Sequence, residues 1–186
     1  MGRVKAREFL LKDGRRGVVR SAEVGDAEGV LRQLGSVLEE GEFTVTTLPA
    51  DGLDITVEKE RERIVKHLED GGKVLAVAEV GGQIVGSADL HCGVRRRIAH
   101  VAQLGITVMR EFRGVGVGRA LMGSVLEWAA GHAVIEKVGL GVFANNTAAI
   151  GLYRKMGFVE EGRRVNEIKV GQGEYVDSIL MYRFVK

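Results

Sequence analysis

The sequence has few of the residues that build disulfides and metal centres. Its 186 residues include one cysteine, Cys92, and one proline, Pro49. A lone cysteine cannot form an internal disulfide and supplies no cluster of metal ligands, and such sparse use of cysteine is typical of a reducing compartment. We interpret Cys92 as a small strand residue rather than a nucleophile, and we expect no bound metal.

Excess charge of one sign and long apolar runs are missing as well. The 27 basic and 25 acidic side chains leave a formal net charge of +2, so bulk electrostatics give no argument for a nucleic acid or an anionic membrane as partner. No apolar run approaches the roughly 20 residues of a membrane span, and charges interrupt residues 1–11, where a signal peptide needs an apolar core. We therefore expect a soluble cytoplasmic protein that binds neither nucleic acid nor membrane.

The hydrophobic pattern, with 45% hydrophobic residues, indicates a single domain over residues 1–186 whose first half mixes helices and strands. A hairpin around Asp13 and Gly14 precedes a helix capped by Asp26 and a second helix over residues 56–70. Residues 42–54 lack periodicity and are predicted to form a long loop. Three antiparallel strands follow, and they are predicted over residues 73–80, 83–91 and 98–109.

The second half of the chain alternates helices and strands. A helix is predicted over residues 117–130, and a strand that is apolar on both faces over residues 134–144. The next helix is capped by Asn145 or Asn146 and ends at Met156, before Gly157. Strands over residues 159–163 and 175–185 finish the chain. A meander followed by helix-bearing units indicates an α+β, or mixed α/β, fold.

A glycine-rich turn in the middle of residues 104–122 is the most informative local pattern. A strand-like run over residues 104–108 leads into Gly114, Gly116 and Gly118, which fall within five positions, and an amphipathic helix follows. Such a turn exposes main-chain N–H groups at the positive end of a helix dipole, which favours a phosphate or pyrophosphate. We therefore expect a phosphate-bearing ligand at this turn.

Two common nucleotide-binding motifs do not fit the turn. It lacks the Gly-Lys-Ser/Thr ending of a Walker loop, which excludes ATP hydrolysis. It also lacks the third glycine of the dinucleotide fingerprint, although Glu136 lies at the distance expected of a ribose-binding acid. A dinucleotide oxidoreductase stays an alternative, and the turn by itself indicates a nucleotide without naming it.

A second pattern downstream of the turn completes the motif. Arg113-x-x-Gly116-x-Gly118 precedes a helix, and the later residues follow the pattern Asn146-x-x-Ala149-x-x-Leu152-Tyr153-x-Lys155-x-Gly157-Phe158. Together the two patterns resemble the acetyl-CoA-binding and downstream motifs of the GNAT superfamily of N-acetyltransferases. The resemblance covers the second half of the chain directly. The run from Gly173 to Asp177 is similar to the bacterial branch that acetylates amino acids or related small amines.

The resemblance implies a mostly antiparallel central sheet that splays after the fourth strand and is flanked by about four helices. In such a fold pantetheine adds to the exposed edge of the splayed strand, and a strand N–H polarises the thioester carbonyl. Main-chain N–H groups of the glycine turn hold the pyrophosphate. The implied cofactor-binding residues are Ile106, Thr107, Val108, Arg113, Gly114, Val115, Gly116, Val117, Gly118, Arg119, Asn146 and Tyr153.

The resemblance assigns catalysis to Tyr153. Attack of an amine on the thioester expels a thiolate whose parent thiol has a pKa of about 8.5, so a phenol beside the sulfur can donate a proton or a hydrogen bond. Without the surrounding motif, a tyrosine one turn before a helix end would be a core aromatic with a satisfied hydroxyl. With the motif, Tyr153 is predicted to be the proton donor.

No residue is marked as the base that frees the acceptor amine of its proton. His100 shares the alternation of the strand that follows it and is predicted to project toward the acceptor side. Glu79, Asp89 and Glu42 are further candidates if burial or a like charge raises the pKa of the carboxyl group. Water relays are an alternative to all of them. This fold builds its acceptor pocket from the loop after the first helix, so the predicted substrate-binding residues are Glu42, Phe43, Thr44 and His100.

The resulting hypothesis is an acetyl-CoA-dependent N-acetyltransferase that moves an acetyl group directly to the primary amine of a small molecule. The acceptor is predicted to be an amino acid or an amino-acid-like compound. One alternative is a protein N-terminal acetyltransferase of the ribosomal-protein type, and another is a non-catalytic acyl-CoA-binding regulatory module. The resemblance also implies a homodimer.

Overall fold

A mixed β-sheet with helices on both faces forms the molecule in the computed structural model, which describes residues 2–44 and 56–186. The strands are β1 (Arg7–Leu10), β2 (Arg16–Ser21), β3 (Lys73–Val80), β4 (Gln83–Cys92), β5 (Val101–Val108), β6 (Lys137–Phe143), β7 (Val159–Gly171) and β8 (Glu174–Phe184). The α-helices of these residues are α1 (Ala27–Glu39), α2 (Val57–Glu69), α3 (Val117–Gly131) and α4 (Thr147–Lys155). The predicted α+β fold with four helices is confirmed.

The strands lie in the order β1-β2-β3-β4-β5-β6-β8-β7, and one neighbouring pair is parallel. In that pair, β5 and β6 are joined only through Val101–Gln103 and Lys137–Gly139. Beyond this short ladder β5 stays paired with β4 as far as Val108, and β6 stays paired with β8 as far as Phe143. The sheet therefore splits into a wedge, which we call the opening. It lies after the fifth strand rather than the fourth, because both strands of the first hairpin join the sheet.

Apolar side chains on both sides of the central strands explain why helices cover both faces. Val74 of β3 lies in the core cluster that contains Leu104 of β5 and Leu121 of α3. Its neighbour Leu75 points the other way and packs in a separate cluster with Ile64 of α2. Since successive strand residues point to opposite faces, the continuous apolar run of β3 places α3 on one face and α2 on the other.

Both ends of α4 are formed as predicted. The Asn146 side chain caps the helix, with its Oδ1 accepting the N–H of Ala149 at 3.1 Å. At the other end Gly157 has a φ of 84°, in the left-handed region that favours glycine. The N–H of Phe158 donates to the carbonyl of Tyr153 at 3.0 Å. This closing turn fixes the last turn of α4, which carries Tyr153.

Asp26 stands at the N-cap position of α1 as predicted but makes no side-chain cap hydrogen bond, and two predicted strand boundaries are wrong, each for a local reason. The carboxylate of Asp26 does not cap α1, because it pairs with Arg20 at 2.6 Å and accepts the N–H of Glu23. β6 begins at Lys137, since the N–H of Val134 donates to a ring nitrogen of His132 instead of joining the ladder. β7 continues to residue 171 as an edge strand, whose mostly exposed side chains lack the alternation that predicts a strand.

Candidate active site

One side of the opening is formed by main-chain groups of β5. At the two ends of the β4–β5 ladder, the N–H of Gly93 donates to the carbonyl of Val101, and the N–H of Met109 donates to that of Val85. Odd-numbered residues of β5 therefore bond to β4, because alternate residues of a strand direct their N–H and C=O groups to opposite sides. The even-numbered residues Leu104, Ile106 and Val108 direct theirs toward β6 and the opening.

The same reasoning applies to β6 on the other side. The N–H of Ala144 donates to the carbonyl of Asp177 at 2.9 Å, so even-numbered residues of β6 bond to β8. The main chains of Gly141 and Phe143 therefore face the opening. The carbonyl of Phe143 accepts the N–H of Asn146. Ile106 and Gly141 lie beyond the last paired residues of the β5–β6 ladder, Gln103 and Gly139, so in the part of the chain that the structure describes the opening is an unpaired sheet edge.

This geometry corrects the prediction that the main chain of Thr107 binds the cofactor. Thr107 is odd-numbered, so its N–H and C=O face Ser87 of β4. Its side chain lies on the α1 face, where its hydroxyl accepts from Nε2 of Gln33 at 3.1 Å and contacts the Ser87 hydroxyl at 3.2 Å. Gln33 is 0% exposed. Thr107 thus anchors β5 between the two residues whose main chains face the opening.

The glycine-rich turn lies at the end of β5 and presents a row of N–H groups. Gly114 and Gly116 have φ values of 74° and 113°, which other residues rarely adopt. Within the described chain, no acceptor is bound by the N–H groups of the six residues from Gly114 to Arg119. The first three helical N–H groups of α3 are among them, so the positive end of the helix dipole adds to the site. These donors form a cradle for an anion.

Arg113 does not contribute to this cradle in the way the motif predicts. Its N–H already donates to the carbonyl of Arg110 at 3.1 Å. Its guanidinium binds both oxygens of Glu40 at 2.7 and 3.0 Å and donates through Nε to the carbonyl of Val108 at 2.9 Å. Arg113 therefore ties the turn to the ends of β5 and α1, whereas Arg119 is exposed beside the cradle.

Tyr153 is a buried residue of α4, with 7% of its surface exposed. Burial raises the pKa of its hydroxyl to about 12. Among the described residues the hydroxyl makes no hydrogen bond, and no fully buried side-chain oxygen lacks a partner, so this hydroxyl reaches accessible space. α4 lies close to the turn, because a Cβ at Gly118 would be 3.1 Å from Leu152. Tyr153 is thus a neutral phenol on a helix that approaches the start of α3.

Two cavities lie next to the opening. The helix-side cavity, of about 410 Å³, lies between α1, α2 and the middle of β4 and β5, and its lining includes Lys59, Glu60, Arg63, Ser87, Asp89 and Gly105. The hairpin-side cavity, of about 500 Å³, lies between residues 41–44, β6 and the β7–β8 hairpin, and its lining includes Glu42, Thr44, Gly141, Arg164, Glu167 and Lys169. Both cavities carry charged side chains of both signs.

A family model agrees with this architecture. Residues 42–158 match the model described as the acetyltransferase (GNAT) family, which is more than half of the chain. This chain belongs to the GNAT family. The match includes β5, the glycine-rich turn and α4, so the family resemblance predicted from the two sequence motifs is confirmed.

Two relatives of this GNAT chain have names that refer to small amines. The L-amino acid N-acetyltransferase AaaT of Escherichia coli (strain K12) is 36% identical over 107 residues, which cover 58% of this chain and 65% of the relative. The spermidine N(1)-acetyltransferase of Vibrio cholerae serotype O1 is 29% identical over 119 residues, which cover 63% of this chain and 66% of the relative. The chain therefore matches slightly less than two thirds of the length of each.

A solved structure supports the same fold over most of the chain. The acetyltransferase of the GNAT family from Streptococcus pneumoniae superposes with a TM-score of 0.84 at 28% identity, covering 90% of this chain and 99% of that one. In the part of the chain that the structure describes, no helix is long and apolar enough to cross a membrane. The same residues contain no group of three or more His, Cys, Asp or Glu side chains arranged to hold a metal ion.

The predicted acceptor residues of this GNAT domain separate into two groups. Glu42 and Thr44 line the hairpin-side cavity, and the ring of Phe43 lies 6.0 Å from that of Phe143 in an edge contact. His100 lies at the closed end of the sheet, where its carbonyl accepts two N–H groups that precede β6 and begin it. His100 is not among the described residues that line either cavity, and Ala102 and Leu104, which share its alternation, pack in the core cluster that contains α3 residues.

The three candidate carboxylates also differ in position. Glu79 is bound to Arg20 at 2.9 Å on β3 and lines neither cavity. Glu42 is bound to Arg110 at 2.9 Å. Asp89 lines the helix-side cavity, and a Cβ at Gly105 would be 2.8 Å from its Oδ1. Of the three, Asp89 is the carboxylate that lies against β5. It is paired with Gly105, the residue before Ile106.

Sequence reasoning missed the polar side chains that α2 and β7 contribute. Glu60 is buried and binds Arg63 through contacts of 2.8 to 3.1 Å. A signal for Glu60 existed, since it falls between Val57 and Ile64 on the apolar side of α2. Arg164 and Lys169 had no such signal, because β7 is exposed and irregular in sequence.

Proposed function

We propose that this chain transfers the acetyl group of acetyl-CoA directly to the primary amine of an amino acid or a related small molecule. The observation that carries the proposal is the opening itself: the main chain of Ile106 faces it, the N–H cradle from Gly114 to Arg119 lies at the end of β5, and Tyr153 lies on α4, which approaches Gly118 through Leu152. Each feature matches a different part of the donor, namely pantetheine, pyrophosphate and the leaving sulfur.

The residues around the opening fit acetyl-CoA. Pantetheine carries amide groups that can pair with the free N–H and C=O groups of Ile106 as an added strand would. The six free N–H groups suit a pyrophosphate, and Arg119 adds a cation beside them. Acetyl-CoA supplies the activated acetyl thioester when it is bound. The N–H of Val108 or Ile106 is then placed to polarise the thioester carbonyl.

Tyr153 has the protonation state that a donor to sulfur needs. With a pKa raised to about 12 by burial, the hydroxyl stays protonated throughout the neutral range. Because a free thiol has a pKa of about 8.5, full proton transfer from this phenol is uphill until burial also raises the pKa of the sulfur. Tyr153 therefore acts first as a hydrogen-bond donor, which stabilises the negative charge that develops on sulfur.

The charges of the cavities favour a zwitterionic acceptor. The helix-side cavity combines Arg63 with Glu60 and Asp89, and the hairpin-side cavity combines Arg164 and Lys169 with Glu42 and Glu167. A carboxylate and an ammonium on one molecule can each find an opposite charge in such a cavity. An acceptor with ammonium groups alone would use only the carboxylates of these cavities and none of their cations. The proposal therefore names amino acids rather than polyamines.

The test is thiol release from acetyl-CoA with a panel of the L-amino acids, spermidine and short peptides. L-leucine and isoamylamine form a matched pair, because they differ by the carboxylate alone. We expect turnover with amino acids and at least tenfold lower kcat/KM with isoamylamine. Binding of CoA without turnover of any amine would instead support a regulatory acyl-CoA module. Preference for peptides would support a protein N-terminal acetyltransferase.

Thermal-shift scans test the donor independently. A ligand that binds only the folded protein raises its apparent stability, so acetyl-CoA should raise the melting temperature and NAD should not. The reverse result would indicate a dinucleotide oxidoreductase. The homodimer and the cytoplasmic location stay predictions, to be tested by analytical ultracentrifugation and by cell fractionation.

A further inference from the structure

We propose that Asp89 binds the ammonium group of the acceptor and takes its proton, and that His91 passes this proton to solvent. The inference rests on the proposed function, and it selects one residue where the sequence left several carboxylates and water relays open. It also assigns the amine to the helix-side cavity.

The position of Asp89 is the first argument. Its carboxylate lies over the main chain of Gly105, where a Cβ would come within 2.8 Å of Oδ1 and 3.7 Å of Oδ2. Gly105 lies on β5 directly before Ile106, whose N–H and C=O groups face the opening. An amine bound to Asp89 therefore lies beside the strand edge that we assign to the thioester. Any larger residue at position 105 would occupy this space.

The second argument is that Asp89 is the carboxylate of this cavity with the weakest existing partner. The carboxylate of Glu60 also lines the cavity, but three contacts of 2.8 to 3.1 Å bind it to Arg63. Asp89 has one charged partner among the described residues, Nδ1 of His91 at 3.6 Å. The carboxylate of Asp89 is 29% exposed, so it can accept a new ion pair without first losing a strong one.

His91 supplies a route for the proton. It lies two residues after Asp89 on the same face of β4, and its side chain is 53% exposed. The carboxylate of Asp89 raises the pKa of the imidazole, so Asp89 favours the protonated form of His91. Other charged groups near the pair are Lys73, opposite His91 on β3, and Lys59, Glu60 and Arg63, which α2 contributes to the cavity. Of these, Lys73 opposes protonation of His91.

The reaction balances with these groups. The acceptor ammonium gives one proton to Asp89, and the nitrogen lone pair attacks the thioester carbonyl carbon of acetyl-CoA. The C–N bond forms and the C–S bond breaks, and the electron pair of that bond leaves on sulfur, which takes a proton from Tyr153. Asp89 passes the first proton through His91 to solvent, then takes the second proton from the nitrogen and releases it by the same route, and one proton from solvent restores the hydroxyl of Tyr153. One amide, one thiol and one proton are the products.

The kinetic test uses Asp89→Asn with L-leucine across pH 6 to 10. Without the carboxylate, the reaction depends on the fraction of amine that is already free, which rises tenfold per pH unit below the pKa of the amine. We therefore expect kcat/KM to fall about 100-fold at pH 7 and to recover to within about fivefold at pH 9.5. Asp13→Asn is the matched control, since Asp13 pairs with Arg15 in the exposed first hairpin. It should stay within twofold of the parent protein at every pH.

A second variant changes the geometry without changing a charge. In Gly105→Ala the new Cβ forces the Asp89 carboxylate away, so kcat/KM for L-leucine should fall at least tenfold while the Kd of CoA stays within twofold. An unchanged kcat/KM in Asp89→Asn at pH 7, or a loss that is equal at all pH values, would overturn the proposal. Circular dichroism and melting temperatures show whether each variant is folded.

A binding measurement keeps the inference testable even if no amine is turned over. The ring nitrogens of His91 can be titrated by NMR in ¹⁵N-labelled protein, with CoA present and with or without saturating L-leucine. Ammonium binding at Asp89 should lower the pKa of His91, and the Asp89→Asn protein should have a lower pKa that L-leucine leaves unchanged. Absence of any effect of L-leucine on the parent protein would refute the assignment. If L-leucine lowers the pKa of His91 but no amine is acetylated, the proposed function is refuted, whereas the assignment of the ammonium site to Asp89 is not.

Discussion

The two sides of the opening are built in different ways. On the donor side, main-chain groups from one continuous stretch, residues 106–119, supply the hydrogen bonds. On the acceptor side, side chains come from α1, α2, β4, β6 and β7, which are far apart in the sequence. Changes on the donor side therefore act through backbone conformation, whereas changes on the acceptor side act through charge and shape.

Tyr153 belongs to neither side, and its substitution should have the largest effect. Tyr153→Phe keeps the buried ring but removes the only group that reaches the leaving sulfur in our proposal. We expect kcat to fall about 100-fold, with the Kd of acetyl-CoA changed less than twofold by calorimetry. Equal losses in kcat and in affinity would assign Tyr153 to packing, because its ring contacts the core at Phe158.

Gly116→Ala tests whether the donor side depends on backbone conformation alone. Gly116 has a φ of 113° and no atom within 4 Å of the position of a Cβ, so the methyl group meets no steric clash and acts through strain alone. Strain at such a position costs about 1 to 3 kcal/mol, and we expect the Kd of CoA to rise about tenfold. Gly35→Ala, in the interior of α1 with equal space, should leave this Kd unchanged. An unaffected Kd in Gly116→Ala would show that the turn does not form the phosphate site.

The donor side could be predicted because its signals are local. Gly114, Gly116 and Gly118 stand together in the sequence, and the helix that follows them is amphipathic. A strand pattern predicts that alternate residues direct their main-chain groups to opposite sides. Which residues of β5 face the opening depends on the pairing of β5 with β4, and only the structure supplies that pairing. That pairing shows Ile106 to be open and Thr107 to be paired with β4. Likewise the guanidinium of Arg113 matches the motif while its contacts go to Glu40 and Val108.

The acceptor side could not be predicted, because spatial neighbours there are distant in sequence. Glu60, Asp89 and Gly105 meet in one cavity although they lie on α2, β4 and β5. Asp89 was one of several equivalent carboxylates until the packing showed that Glu79 is bound to Arg20. Residues 45–54 of the predicted loop lie outside the described residues. The positions of the acceptor side chains are fixed by tertiary contacts, and these contacts cannot be derived from the order of residues in the sequence.

Thr107→Val tests whether a side chain on the acceptor face supports the donor edge. The substitution removes the acceptor of Nε2 of Gln33, which has no access to solvent. Leaving a buried donor unpaired costs about 1 to 3 kcal/mol, so the free energy of unfolding measured with urea should fall by that amount. The KM for acetyl-CoA should rise about threefold, because β5 loses its anchor next to Ile106. Thr147→Val, at the exposed start of α4, is the control and should change stability by less than about 0.5 kcal/mol.

Glu42→Gln should have the smallest effect and distinguishes the two cavities. Glu42 lines the hairpin-side cavity, but its carboxylate already pairs with Arg110, and both side chains are about half exposed. Exposed pairs contribute about 0 to 1 kcal/mol, so the free energy of unfolding should fall by no more than that. If the amine binds at Asp89, the KM for L-leucine should change less than twofold. Glu58→Gln is the matched control, because Glu58 forms a similar exposed pair with Arg61 on α2. A tenfold rise in the KM for L-leucine in Glu42→Gln, absent in Glu58→Gln, would place the ammonium in the hairpin-side cavity and restore Glu42 as the acceptor-binding residue.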